Sequence, residues 1–404
     1  MPLSQWMPPL GRALARFKNA AVTAEAKASR AGPLIAMQTG IGNPVWSPRD
    51  YQAFAREGFM QNAVAYRAVR MIAEAAASVP LQLYEGEHEV SDHPLLNLIA
   101  RPSPVSSAPD LFEAWYGFLL VSGNAYMELV ALDGEPRELY ALRPDRMQVV
   151  PGADGWPEAY KYTVAGQFTS FEGEVVPGVR PILHLKLFHP INDHYGLSPI
   201  EAAAPAIDIH NQAGRWHKAL LDNSARPSGA LVYNSGDGHL TGDQYERLKR
   251  ELEMNFQGAG NAGRPLLLEG GLDWKGMSFS PKDMDFIEAK HVAAREIALA
   301  LGVPPALLGI PGDNTYSNYQ EANRVFWRQT VLPFVWRTAK ALSAWLAPVY
   351  GAPLQYRPDP DAVDALSMER EAVWAQVEAA TFLTTNEKRA AVGYESVGGG
   401  NVVS

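Results

Sequence analysis

Three side chains sit close enough together to suggest a metal site: His189, Asp193 and His194. A His-x3-Asp-His run ligates a divalent ion if its loop folds back on itself. Pro190 and Gly196 mark the stretch as a turn, where Asp and His commonly cap backbone groups instead. His210 and His217 lie seven residues apart on one helical stretch. That puts them on one face but about two turns apart, too far to share an ion. Paired acids occur at Glu251 and Glu253 in a charged helix, and at Asp283 and Asp285 near a helix start. A helix N-terminus favours acids through its dipole without any catalysis. There is no Walker-type phosphate loop, no glycine-rich dinucleotide turn and no His-Glu-x-x-His run. Gly196-Leu197-Ser198-Pro199 starts like a GxSxG nucleophile elbow but fails at the last glycine, and its proline suits a helix start. The chain has no cysteine, which excludes disulfides, Cys-ligated zinc, iron–sulfur clusters and thiol nucleophiles. The sequence therefore points to no catalytic residue, no metal and no cofactor.

Trp327, Trp336 and Trp345 recur every nine residues. Nine residues is about 2.5 helical turns, so successive rings fall on opposite faces. Both faces of that helix are expected to pack, one within the subunit and one against a neighbour. A base-stacking platform for single strands would also need a basic groove.

The elements that must position these residues come from a chain of 404 residues with a net charge of −9, 47% hydrophobic and 20% charged. The length suggests two to three domains and the composition a buried core. The acidic balance argues against a nonspecific nucleic-acid binder. It leaves room for a protein that DNA must pass without adhering. No run of about 18 apolar residues occurs, so no membrane-spanning helix is expected. The N-terminal stretch lacks the apolar block of a signal peptide. It carries Arg12, Arg16, Lys18, Lys27 and Arg30 against Glu25 alone, which fits a flexible basic tail over residues 1–45, an arm that touches DNA or a partner, or a transit peptide.

Periodicity places a helix over 63–77, stopped by Pro80, and a short strand in PLQLYE. Ser107-x-x-Asp110, with Pro109 in the first turn, is a capping signature for the next helix. Strands follow at 126–132, 140–142, 147–150, in AYKYTV and in ILHLKLF, with turns at Asp133-Gly134 and Asp154-Gly155. This predicts an α+β module with an antiparallel sheet over 46–196. Ser198 then caps one long helix containing Pro205. Residues 227–281 read as a small αβ insert: the strand GALVY, a charged helix capped by Thr241, the loop QGAGNAG, and strands at 266–268 and 272–279 with a bulge at Gly276. A returning helix from about Lys282 to Leu301 is punctuated by Lys290, His291 and Arg295. A polar segment leads into a long helix, 319–348, that Pro333 should kink. Helical units close the chain.

Two helices that leave and re-enter around an insert make a stalk with a tip. Both are alanine-rich and thinly apolar, so ring packing between subunits would bury the rest. In this arrangement the chain resembles a tailed-phage portal protein of the Hong Kong 97 type. The segments that carry the resemblance are AVAYRAVRMIAEAAASVPLQLYE, HPLLNLIARPSP, SGNAYMELV, LRPDRMQVV, GLSPIEAA, LGVPPALLG, TYSNYQEANRVFWRQTVLPFVW and LTTNEKRA, in that order over about residues 60–395.

The resemblance implies an α+β portal fold assembled as a ring, usually of twelve subunits, at one capsid vertex. Residues 46–196 would be the wing, 197–226 and 282–310 the two stem helices, and 227–281 the clip. Residues 311–318 would be the tunnel loop, 319–352 the long kinked helix and 353–404 a short crown. Double-stranded DNA would pass Asp313, Asn314, Thr315, Tyr316 and Ser317, with Lys290 and Arg295 as sparse positive contacts in the stem. Glu246, Arg247, Lys249, Arg250 and Glu253 would meet the large terminase and later the head–tail adaptor. The wing would meet the major capsid protein. The implied location is the head–tail junction of a virion assembled in a bacterial cytoplasm, from a phage, a prophage or a gene-transfer-agent-like particle. The rival readings are another ring-forming connector component and a hydrolase with an unrecognised site.

Overall fold

The computed structural model describes residues 46–222, 229–233, 241–256, 272–276, 286–312, 316–351, 353–394 and 396–401. The arm 1–45, the strand read at 266–268, the loop QGAGNAG, Met277, Phe279, Asp283 and Asp285 lie outside them.

The first elements are a short helix α1 (Tyr51–Ala53) that runs on as π-helix over Phe54–Met60, and α2 (Ala63–Ser78). Buried Asn62 caps α2, its Oδ1 accepting the Val64 and Ala65 N–H groups at 3.1 Å each. β1 (Leu81–Glu85) and β2 (His88–Glu89) follow, then α3 (Pro94–Ala100) and α4 (Ala108–Ser122). α4 opens on the reciprocal capping box of Ser107 and Asp110 that the sequence predicts.

Two three-stranded antiparallel sheets come next. One is ordered β4-β3-β8, from β3 (Asn124–Leu132), β4 (Glu135–Leu142) and β8 (Ile182–Lys186). The other is β5-β6-β7, from β5 (Met147–Pro151), β6 (Pro157–Val164) and β7 (Gln167–Glu172). Asp133 and Gly134 turn the β3–β4 hairpin with φ of 53° and 80°. Positive φ at both centres is the type I′ geometry that matches strand twist. β7 was not read from the sequence. Its residues are nearly all exposed, so no alternation marks it.

The sheet of β3 is covered on both faces. One face joins the main core, where Trp115, Tyr116, Leu119 and Leu120 of α4 are at most 2% exposed. The Trp115 indole N–H donates to Thr338 Oγ1 at 3.1 Å inside this core. The other face meets the second sheet in a smaller core of Tyr126, Leu142, Met147, Val149, Tyr160 and Ile182.

α5 (Pro199–Asp222) continues through Pro205 as one helix. β9 (Gly229–Tyr233), α6 (Gly242–Phe256) and β10 (Leu272–Gly276) make the insert, β9 and β10 pairing antiparallel. Gly276 lies in register opposite Gly229, so the ladder reaches it with no bulge before it. α7 (Phe286–Leu301) returns and packs along α5. α8 (Tyr316–Phe326), a π-helical stretch over Trp327–Val331 and α9 (Leu332–Leu346) follow.

β11 (Leu354–Pro358) was read from the sequence as part of the C-terminal unit. It pairs with β1 in the order β11-β1-β2. Residues 354–358 are thus physically part of the first module's packing. α10 (Ser367–Ala379) and α11 (Thr385–Ala391) end the described chain, α11 under a Thr384–Glu387 capping box.

Candidate functional site

The loop that holds His189, Asp193 and His194 builds its own turn. His189 Nδ1 accepts the Ile191 N–H at 3.2 Å, and Asn192 Oδ1 accepts the N–H groups of His194 and Tyr195 at 2.9 Å each. Lys186 Nζ donates to the Asp193 carbonyl. Among the described residues no three His, Asp or Glu side chains are grouped to hold a metal ion. An open cavity of about 340 Å³ lies beside the loop, lined by Arg49, Tyr51, Asn124, His189, Tyr195 and Glu201 among others.

A histidine that the sequence reading passed over is the most perturbed one. His184 of β8 stacks on Tyr126 at 4.2 Å and meets Tyr160 edge-on at 5.8 Å. Its Nε2 lies 3.1 Å from Asn124 Oδ1, which also accepts the Gly196 N–H at 2.8 Å. That oxygen is an acceptor, so Nε2 carries the proton. Burial, with the charges of Lys186 and His194, lowers the His184 pKa to about 3. The strand alternation of β8 sets His184, like Ile182, on the face turned toward the second sheet.

The stalk is rooted at one end. In α5 the buried residues Ile200, Ala203, Ala204, Ala206 and Ile207 lie in the first half, with Ala213 just past the midpoint. In α7 Ala294, Ile297, Ala298 and Leu301 lie in the second half, with Ala293 just before the midpoint. The insert hangs between the opposite ends of the two helices. Polar ties fix α5 to the residues before α2. Ser47 Oγ donates to Asp208 at 2.6 Å, Asn211 Nδ2 to the Glu57 carbonyl at 2.9 Å, and Arg215 to Glu57 at 2.9 Å. Asn62 Nδ2 donates to Asn211 Oδ1 at 2.9 Å and faces His210 Nδ1 at 3.1 Å. Burial, with the charge of Lys290, lowers the His210 pKa.

Lys290 and Arg295 do not share a face. Five residues is about 140° around a helix. Lys290 is half-buried on the side of α5, where its charge reaches His210. Arg295 is exposed, and its Nη2 donates to the Pro311 carbonyl at 2.5 Å. The remaining exposed positions of that α7 face include Glu288, Val292, Glu296 and Leu299. The two cations grouped by the sequence reading are therefore separate.

Asp313, Asn314 and Thr315 lie outside the described residues, as does the side chain of Tyr316. Tyr316 already opens α8, and Ser317 is exposed in its first turn, so the helix starts three residues before the expected Tyr319. Pro333 sits in the first turn of α9 directly after the π-helical stretch. There Leu332 N–H reaches back five residues to the Trp327 carbonyl. A π turn is one way a helix absorbs an interrupted hydrogen-bond ladder, and proline interrupts it by lacking N–H. Trp345 is buried and donates to the Arg180 carbonyl at 2.8 Å, while Trp336 is 38% exposed. The two rings do fall on different faces.

In the insert, α6 is capped by Thr241 and Gln244, whose side chains and backbone N–H groups bond reciprocally at 3.4 and 3.0 Å. Glu246, Arg247, Lys249 and Arg250 are all exposed. Arg250 Nε donates to the Glu246 carbonyl at 3.3 Å. The Glu253 side chain lies outside the described residues.

This arrangement has close counterparts. A chain in the neck of an empty gene transfer agent particle, computed with C6 symmetry, is 54% identical, with 89% of this chain and 98% of that chain covered and a TM-score of 0.71. A chain in the neck of a native particle, computed with C12 symmetry, is also 54% identical over 90% of this chain and 98% of that one, with a TM-score of 0.68. The portal protein of Enterobacteria phage HK97 is 26% identical over 308 residues, 72% of this chain and 68% of its own length. The family model described as phage portal protein matches residues 63–393, from the start of α2 to the turn after α11, and so takes in the rooted stalk, the insert and the long helix together. The chain belongs to the phage portal protein family.

Proposed function

We propose that this chain is a structural component that assembles as a ring, of about twelve copies, at the head–tail junction of a virion or gene transfer agent particle. DNA is packaged and ejected through its centre. The observation that carries this reading is the α5–α7 pair, rooted in the body by one end and carrying the insert at the other, in a chain of the portal family. Head-to-tail packing of such a stalk closes into a ring, and the related necks were computed with C6 and C12 symmetry.

The electrostatics support passage without adhesion. Lys and Arg clusters bind phosphates by releasing counterions, and a channel lined that way would hold DNA. Here Lys290 is turned toward α5, Arg295 is engaged by a backbone carbonyl, and Glu288 and Glu296 stand exposed on α7. Ring assembly multiplies a net charge of −9 per chain. In this reading residues 311–318 are the narrowest channel element, where residues 313–317 face DNA, and 46–196 meets the major capsid protein. Glu246, Arg247, Lys249, Arg250 and Glu253 meet the terminase during packaging and the head–tail adaptor afterwards.

Electron micrographs of the purified protein test the class. Annular particles with a central hole are expected; compact globules at every concentration sink the proposal. Substitution of Asp313 or Tyr316 by alanine is expected to lower DNA packaging or retention several-fold while the thermal midpoint moves little. Normal packaging and retention in both variants would show that 311–318 is not the tunnel loop.

A further inference from the structure

Arg295 invites a simple assignment as a cation that touches DNA. Three observations give it a different task. Ile310 is only 6% exposed and packs against Ala294 and Ala298, at 5% and 0%. Two alanines four residues apart leave a notch on one helix face, and the Ile310 side chain fills it. One residue on, the Pro311 carbonyl accepts from Arg295 Nη2. One residue further, Gly312 runs so close that an added Cβ would lie 3.1 Å from that same nitrogen.

We infer that Arg295 is a positioning residue: a strut that, with the Ala294–Ala298 notch, fixes the backbone of Ile310–Gly312 on α7 and so sets where the connection to α8 departs. Arginine suits this because its planar group offers several N–H donors in a fixed fork. Glycine at 312 suits this closeness, since a side chain there would crowd the guanidinium and shift it by a few tenths of an ångström against the carbonyl it holds. The link to DNA rests on the channel reading above; the strut itself does not.

Amide hydrogen exchange on the full-length protein separates these ideas. Arg295→Ala and Gly312→Ala are both expected to raise exchange about tenfold at the Ile310 amide, which donates to the Pro305 carbonyl at 3.2 Å, leaving β3 and α4 unchanged. Gly312→Ala removes no charge, so the same result from both variants cannot come from losing a cation. The double variant is expected to add nothing beyond either single one, the mark of two residues acting through one contact. Unchanged exchange in both single variants, or fully additive effects, overturns the strut. DNA retention in the same variants is expected to fall with the rise in exchange. A rise in exchange with normal retention keeps the strut and removes the channel assignment.

Discussion

Gly196→Ala is expected to destabilise the subunit by roughly 4 kcal/mol or more, enough to leave little soluble protein. Gly196 ends the α+β module, two residues before the Ser198 cap of α5. An added Cβ would stand 2.1 Å from the Gly123 carbonyl oxygen, 2.6 Å from the Leu187 nitrogen and 2.8 Å from the Leu187 oxygen. All three atoms are backbone, so no side-chain rotation relieves the overlap. Gly123 is itself fixed, at φ 75° as the left-handed cap of α4, with its carbonyl accepting the Leu187 N–H at 2.8 Å. Moving Gly196 away would also break its N–H bond to Asn124 Oδ1. Overpacking a core side chain costs about 1–3 kcal/mol, and rigid backbone on both sides puts this case above that range. Gly117, inside α4, is the control. A Cβ there meets nothing within 4 Å. Gly117→Ala is expected to stabilise by about 0.5–1 kcal/mol through helix propensity. Urea midpoints measure both. A Gly196→Ala midpoint equal to wild type would disprove the close-packing argument.

The second large effect is a dependence on pH centred on His184. Its folded pKa of about 3 lies below the ordinary imidazole value of about 6.5. The unfolded chain takes up this proton as pH falls through about 6.5, while the folded chain refuses it until about 3. The contribution is therefore fully present above pH 6.5 and is lost as pH falls below it. The slope is about 1.4 kcal/mol per pH unit, so roughly 2 kcal/mol is lost between pH 6.5 and 5. His184→Phe keeps an aromatic ring against Tyr126 and removes the titration. At pH 7.5 the variant is expected to be less stable by about 1 kcal/mol, from the lost bond to Asn124. At pH 5 the gap should close or reverse. Denaturation curves at the two values decide it, and a gap that stays constant would contradict a neutral buried imidazole. Comparing the variant with wild type cancels the other titrating groups, His210 included.

Much of the fold was legible because the elements announce themselves locally. Ser107, Pro109 and Asp110 specify a helix start, and Asp133-Gly134 specifies a hairpin. The misses have physical causes. β11, LQYRP, lies between Pro353 and Pro360 and looks like a connector, and only its distant pairing with β1 makes it a strand. β7 is solvated on both faces and carries no periodic signal. The family was readable from eight ordered segments, yet individual site residues were not. Lys290 and Arg295 are both basic and close in sequence, and a helical projection already separates them. What each one touches, a neighbouring helix or a carbonyl sixteen residues away, depends on packing that no local pattern encodes.

The pairing of β1 with β11 also bears on how the subunit is made. Trp115 reaches Thr338 across 223 residues of sequence, and the Tyr356 hydroxyl reaches the Leu95 carbonyl across 261. Contacts this distant close late, because the loop entropy is lost before they form. A nascent chain therefore emerges with its stalk and insert already synthesised while the body's first sheet still lacks its edge partner. An uncovered strand edge invites pairing with the wrong chain. Synthesis of β11 thus completes the body's first sheet and covers the open edge of β1.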